Sequence, residues 1–126
     1  MPYTIDVSTS ENVVYLKGIG DLSVESSLEA AANVVNHPDV QPHFGMVVDF
    51  GKATNTPTLS EMRILASSLG KYAPSLKGRI GLRVLPGDVN KAGVLCVLVR
   101  VFGVKMEAYS DLDQAYQYVR IGRAGF

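Results

Sequence analysis

GMVVDF, Gly45 to Phe50, is a near-continuous apolar run of strand length. A strand with one wet face alternates apolar and polar residues. A run with no charge before Asp49 instead fits a strand covered by protein on both faces, as in the middle of a parallel sheet. Upstream of it, Val24, Leu28, Ala31, Ala32 and Val35 recur at the spacing that lines one stripe of a helix. Ser23 is placed to cap that helix and Glu25 lies near its positive end. Asn36-His37-Pro38 stops it, because proline disfavours helical geometry in the residue before it.

Further towards the N-terminus the period falls to two. Tyr3 to Val7 and Val13 to Lys17 alternate apolar and polar side chains, and the short polar link Ser8 to Asn12 joins them as an antiparallel hairpin. Gly18 and Gly20 then release the chain. On the other side of GMVVDF, the turn-forming stretch Gly51 to Pro57 leads to Thr58-Leu59-Ser60-Glu61, a capping-box pattern. It predicts a helix over Thr58 to Ala73 that buries Met62, Leu65, Leu69 and Tyr72. Arg79 to Leu85 reads as a strand, and Pro86-Gly87-Asp88 turns into a third helix with Asp88 as its cap.

That third helix is unusual, since from Ala92 to Phe102 only Arg100 is charged and apolar residues surround the cylinder. Gly103 ends it. Val104 to Tyr109 is a last strand, and Asp111 caps a final helix that buries Leu112, Ala115, Tyr116 and Val119. The order is therefore ββαβαβαβα. It implies an α/β domain with a mostly parallel five-stranded sheet, an antiparallel edge strand and four helices, joined by right-handed crossovers.

Length and composition fit one domain spanning residues 1–126. The hydrophobic fraction of 47% against 19% charged residues excludes a disordered chain. Twelve basic and twelve acidic residues give a net charge of zero, with no like-charged run to attract phosphates, so nucleic acid is not an expected partner. The longest apolar stretch, Val94 to Val99, falls far short of the roughly 20 residues of a membrane span. A lone Cys96 and an N-terminus without a secretion-signal pattern lead to a cytoplasmic expectation.

Motifs that would carry chemistry are incomplete. Gly51-Lys52 lacks the preceding glycine spacing and the following hydroxyl of a phosphate-binding loop, Ala53 standing in the hydroxyl's place. Gly18-Ile19-Gly20 has Ser23 where a dinucleotide fingerprint needs glycine. His37, Asp39 and His43 have no zinc-motif spacing, and His37 suits a helix C-terminus. Cys96 lies in an apolar helix, where cysteine acts as a small hydrophobe. No serine stands in a nucleophile elbow. Asp21 and Asp49 pair only if the fold joins them, and Asp49 suits a strand end that binds the next loop. No catalytic residue, cofactor or metal site is expected, so the chain reads as a non-enzyme.

The element order, GDLS before the first helix, MVVDFGKAT at the third strand and FGVKMEAYSDLDQAYQYV at the end resemble the SpoIIAA-like, or STAS/SEC14-like, bacterial families. Ser110-Asp111-Leu112-Asp113-Gln114-Ala115 is similar to the start of their final helix. The resemblance covers nearly the whole chain and implies a regulatory module that acts through protein contacts. Anti-sigma-factor antagonists of the STAS family carry a phosphorylatable serine in an Asp-Ser-Ser-Gly type motif after the central strand. Here Thr56-Pro57-Thr58-Leu59-Ser60 stands in that place, which makes Thr58 the phospho-acceptor candidate by position and Ser60 by residue type.

Binding loops at the strand ends then centre on Asp49, Thr54, Asn55, Thr56 and Asp88. The SEC14-like branch implies the alternative of a carrier or sensor of a small apolar molecule, with the third helix as one wall. A helix apolar all round also invites self-association, so Val94, Leu98, Val101 and Phe102 are candidates for a homodimer contact with Arg100 at its rim.

Overall fold

The computed structural model describes the backbone of residues 2–123 and the side chains of residues 2–120. Strands β1 (Tyr3–Ser8) and β2 (Val13–Gly20) are followed by α1 (Val24–Val35), β3 (Gly45–Ala53), α2 (Leu59–Gly70), β4 (Arg79–Arg83), α3 (Val89–Arg100), β5 (Lys105–Tyr109) and α4 (Leu112–Arg123). Short 3₁₀ turns at Ala73–Ser75 and Pro86–Asp88 precede β4 and α3. The element order is the expected one.

The sheet runs β1-β2-β3-β4-β5 in space, with β1 antiparallel and the other pairings parallel. Each crossover advances one strand in the same direction, so right-handed connections place α1, α2 and α3 on one face. The chain then crosses over after β5, and α4 packs on the opposite face against β3, β4 and β5. The result is three layers, with GMVVDF central as expected. Val14, Leu16, Met46, Val48, Ile80, Leu82 and Met106 form the core beneath the three helices. Val13, Val47 and Val119 form a smaller one beneath α4.

Strand extents depart from the sequence reading where long-range pairing overrides turn-forming composition. β2 passes through Gly18 to Gly20, and its Ile19 and Gly20 pair with Lys52 and Ala53, so β3 absorbs the first residues of the expected loop. A register shift between Lys17 and Ile19 accommodates Gly18. A side chain at Gly18 would collide with Leu22, Tyr3 and Phe50, which explains the glycine. β4 ends its pairing at Arg83, although Val84 N–H still donates to the Tyr109 carbonyl at 2.8 Å.

Helix ends also correct the expectations. α2 stops at Gly70 instead of Ala73: the Lys71 and Tyr72 N–H groups donate to the Ser68 and Leu69 carbonyls, three residues back, and Pro74 within the following 3₁₀ turn disfavours helical geometry at Ala73. Asp88 stands at the start of α3 but its side chain makes no cap bond. The preceding turn holds Asp88 near helical backbone angles, φ −106° and ψ −1°, whereas a capping residue usually sits in the extended region.

On α1 the buried residues are Ala30, Ala31 and Val34, while Val24, Leu28, Ala32 and Val35 are half-buried. That helix packs on the edge strand β1 and on α2, so one flank of its apolar stripe meets solvent. Leu112, expected inside, is 42% exposed, since it sits on the first turn of α4 before the helix reaches the sheet. Asp111 does cap α4, its Oδ1 accepting the Asp113 N–H at 2.9 Å. Gly103, at φ +88°, closes α3: its N–H donates to the Arg100 carbonyl and that of Val104 to the Val99 carbonyl, the pattern of a Schellman ending.

Candidate functional site

Side chains alternate across a strand, so Leu16, Met46, Val48, Phe50, Ile80, Leu82 and Met106 all point from the sheet towards the three-helix layer. Above them stand Ala31 of α1, Met62, Leu65 and Leu69 of α2, and Ala92 and Leu95 of α3. These two surfaces do not close on each other. Ala31, Ala53 and Ala92 leave room at lining positions, and a cavity of about 160 Å³ remains. It opens at the carboxyl ends of β2, β3 and β4, where the β2–α1 loop, the β3–α2 loop and the start of α3 supply Ser23, Thr56, Leu85 and Lys91 as exposed rim residues. Crevices at this end of a parallel sheet are the usual place for ligands.

The interior is apolar to an unusual degree. Among the described residues no polar or charged side chain is fully buried. The Tyr3 hydroxyl is satisfied by Ser27 Oγ at 2.8 Å, and burial raises its pKa, so it stays neutral. Its ring meets Phe50 edge-on, the centroids 6.3 Å apart. At the mouth, Asn55 closes a two-way bridge across 33 residues of sequence: Oδ1 accepts the Leu22 N–H and Nδ2 donates to the Leu22 carbonyl, both at 2.7 Å. One amide therefore ties the two lip loops together.

The residues singled out from the sequence fall into four places. Asn55, Thr56 and Asp88 line the mouth of the cavity; Thr54 and Asp49 do not. Asp49 faces the α4 side, where Oδ1 accepts from the Gly51 N–H at 2.8 Å and pairs with Arg83 at 3.1 Å. Asp21 is no partner of this pair. Thr58 Oγ1 accepts from the Glu61 N–H at 3.2 Å while the Glu61 carboxylate accepts from the Thr58 N–H at 2.8 Å, so the capping box is formed. Ser60 is exposed, the second residue of α2.

The third helix divides differently from the expected set. Its cavity wall is Lys91, Ala92 and Leu95, and Val94, Leu98, Val101 and Phe102 stand outside it. Leu98 packs against the main core, whereas Val97, 58% exposed, shares an outward stripe with Val94 and Val101. Phe102 lies over Gly70 and is still 45% exposed. Arg100 reaches Glu107 of β5 at 2.6 Å.

Reactive groups are dispersed. Burial pushes the Cys96 thiol up to about 12, with Glu107 adding to the shift, so the thiolate is not accessible near neutrality. His37 Nδ1 accepts the Asp39 N–H at 3.1 Å and His43 packs on Phe44. Among the described residues no group of three or more His, Cys, Asp or Glu side chains is placed to hold a metal ion.

Sequence reasoning took the cavity-lining residues as ordinary core. The signal that stood in the chain was methionine: Met46, Met62 and Met106, on three different elements, all line the space. Methionine is adaptable and recurs at apolar binding surfaces, but each one alone reads as packing.

Comparison with solved structures gives a match to the crystal structure of an uncharacterised protein of the DUF3478 family, from Shewanella loihica PV-4. It covers 93% of both chains at a TM-score of 0.60 and 14% sequence identity. That structure is described as SpoIIAA-like. This chain has a SpoIIAA-like fold. The identity is low enough that the likeness is one of backbone alone, and the SpoIIAA-like resemblance drawn from the element order and from segments along nearly the whole chain is supported at that level. No family model and no curated protein matches the sequence. No helix among the described residues is long and apolar enough to cross a membrane.

Proposed function

We propose that this chain is a non-catalytic, cytoplasmic binding module whose ligand is a small hydrophobic molecule held between the sheet and the three-helix layer. The observation that carries this reading is the apolar cavity of about 160 Å³ opening at the carboxyl ends of β2, β3 and β4. Well-packed cores keep few voids larger than a water molecule, and an apolar void of this size forgoes contacts that a guest would restore. Neither histidine nor cysteine lines it, and its carboxylates, Glu61 and Asp88, lie at the mouth, which favours holding a guest over converting it. Because the lip is built from two loops and the start of α3, occupancy can be reported at the surface to a protein partner, the regulatory role implied by the resemblance.

Purification from the native source, solvent extraction and gas chromatography coupled to mass spectrometry test the proposal. A near-stoichiometric apolar compound is expected. A chain without any extractable guest, and with a thermal midpoint unmoved by added apolar compounds, overturns it.

A second reading, homodimerisation through α3, is favoured by its outward stripe, where Val94, Val97 and Val101 are 40%, 58% and 80% exposed. Contiguous exposed apolar surface marks interfaces, and twofold dimers are the commonest way to cover it. Sedimentation equilibrium at micromolar concentration should give a dimer that Val97→Glu dissociates; a monomeric wild-type chain refutes it.

A further inference from the structure

Resting on the cavity reading above, we infer that the guest is compact, uncharged and about the size of one substituted ring, not a fatty acid or a two-chain lipid. Volume sets the first limit. The cavity measures about 160 Å³, close to the roughly 150 Å³ of an engineered apolar cavity that stays dry and binds benzene.

Chemistry sets the second limit. The two hydroxyls in the body of the cavity, those of Tyr3 and Ser27, are engaged with each other, and that of Ser27 also donates to the Ser23 carbonyl, so a polar atom in the body of the guest would lose its water without gaining a free donor. Met46, Met62 and Met106 surround the space with thioethers, and Phe50 offers a ring, groups that pack well against an aromatic face or edge.

Charge sets the third. At the mouth Lys91 stands with both Glu61 and Asp88, so the rim carries more negative than positive charge. A carboxylate head would meet that field as a like charge. The Asn55 bridge between the lips narrows the way in further, and a long chain threading out of the mouth would have to displace it.

Isothermal titration of the wild-type chain with toluene, ethylbenzene, decanoate and phosphatidylcholine vesicles separates the outcomes. Saturable one-to-one binding of toluene or ethylbenzene is expected, with decanoate at least tenfold weaker and no uptake from vesicles. Decanoate or phosphatidylcholine binding more tightly than either ring compound overturns the size and charge inference while leaving an apolar-ligand module standing. Binding of none of the four overturns both.

Discussion

Ala31→Leu should stabilise the free protein and abolish binding of an apolar guest. Ala31 is 9% exposed and lines the cavity from α1. At about 24 cal/mol per Å³, an empty space of this size forgoes up to about 4 kcal/mol of packing. Leucine adds three carbons, worth about 0.8 kcal/mol each when buried. Ordering the longer side chain returns roughly 0.5–1 kcal/mol of that, and helix propensity changes little between the two residues. A net gain of about 1.5 kcal/mol follows. With a urea slope of about 1–3 kcal/mol per molar, the midpoint should rise by roughly 0.5–1.5 M at unchanged slope. The same variant should give no heat on titration with toluene. A destabilisation of about 1–3 kcal/mol, the usual result of overpacking a filled core, would refute the reasoning, because it would mean that the space is not there.

Four other substitutions test the framework of the fold. Thr58→Ala removes one half of the α2 capping box and should cost about 1 kcal/mol, read from the denaturation midpoint; an unchanged midpoint counts against the cap. Gly81→Ala would set a methyl group 2.5 Å from the Ala115 carbonyl oxygen and push α4 off β4, costing about 2 kcal/mol, whereas Gly51→Ala meets side-chain atoms alone, the Arg83 guanidinium and Asp49 Oδ1, which can shift, and should cost less than half as much. The Glu11 carboxylate accepts from the Tyr116 hydroxyl at 2.5 Å and from Tyr15 at 3.1 Å, bonds that hold its pKa below the ordinary 4.5. Its stabilising effect is therefore complete above that value and lost as the pH falls through the lowered one, so wild-type stability should fall more steeply in acid than that of Glu11→Gln; parallel pH profiles would contradict the clasp.

The fold was legible because its signals are local. Periods of two and 3.6, the Ser23, Thr58 and Asp111 caps, and GMVVDF in the centre of the sheet needed only neighbouring residues. Errors came where distant contacts decide. β3 runs on to Ala53 because β2 supplies partners for it, and Gly70 is a glycine because the Phe102 ring, just past the end of α3, lies on it. The site was only partly legible. Asn55, Thr56 and Asp88 could be placed at the strand ends from the element order, but a cavity is a shortfall of volume between elements, and no pattern of residue types records it. Leu16, Met46 and Leu95 are ordinary core residues until the distance between sheet and helices is known. The pairing of Asn55 with Leu22 is likewise a product of the fold, since nothing local joins them.

Methyl-resolved NMR of the chain labelled with [methyl-¹³C]methionine during a toluene titration tests the central claim most directly, because Met46, Met62 and Met106 report on the cavity from three separate elements. The account predicts that all three signals shift together along one saturable curve. Signals that stay in place, or drift without saturation up to the solubility limit of toluene, would contradict a binding cavity between the sheet and the helices.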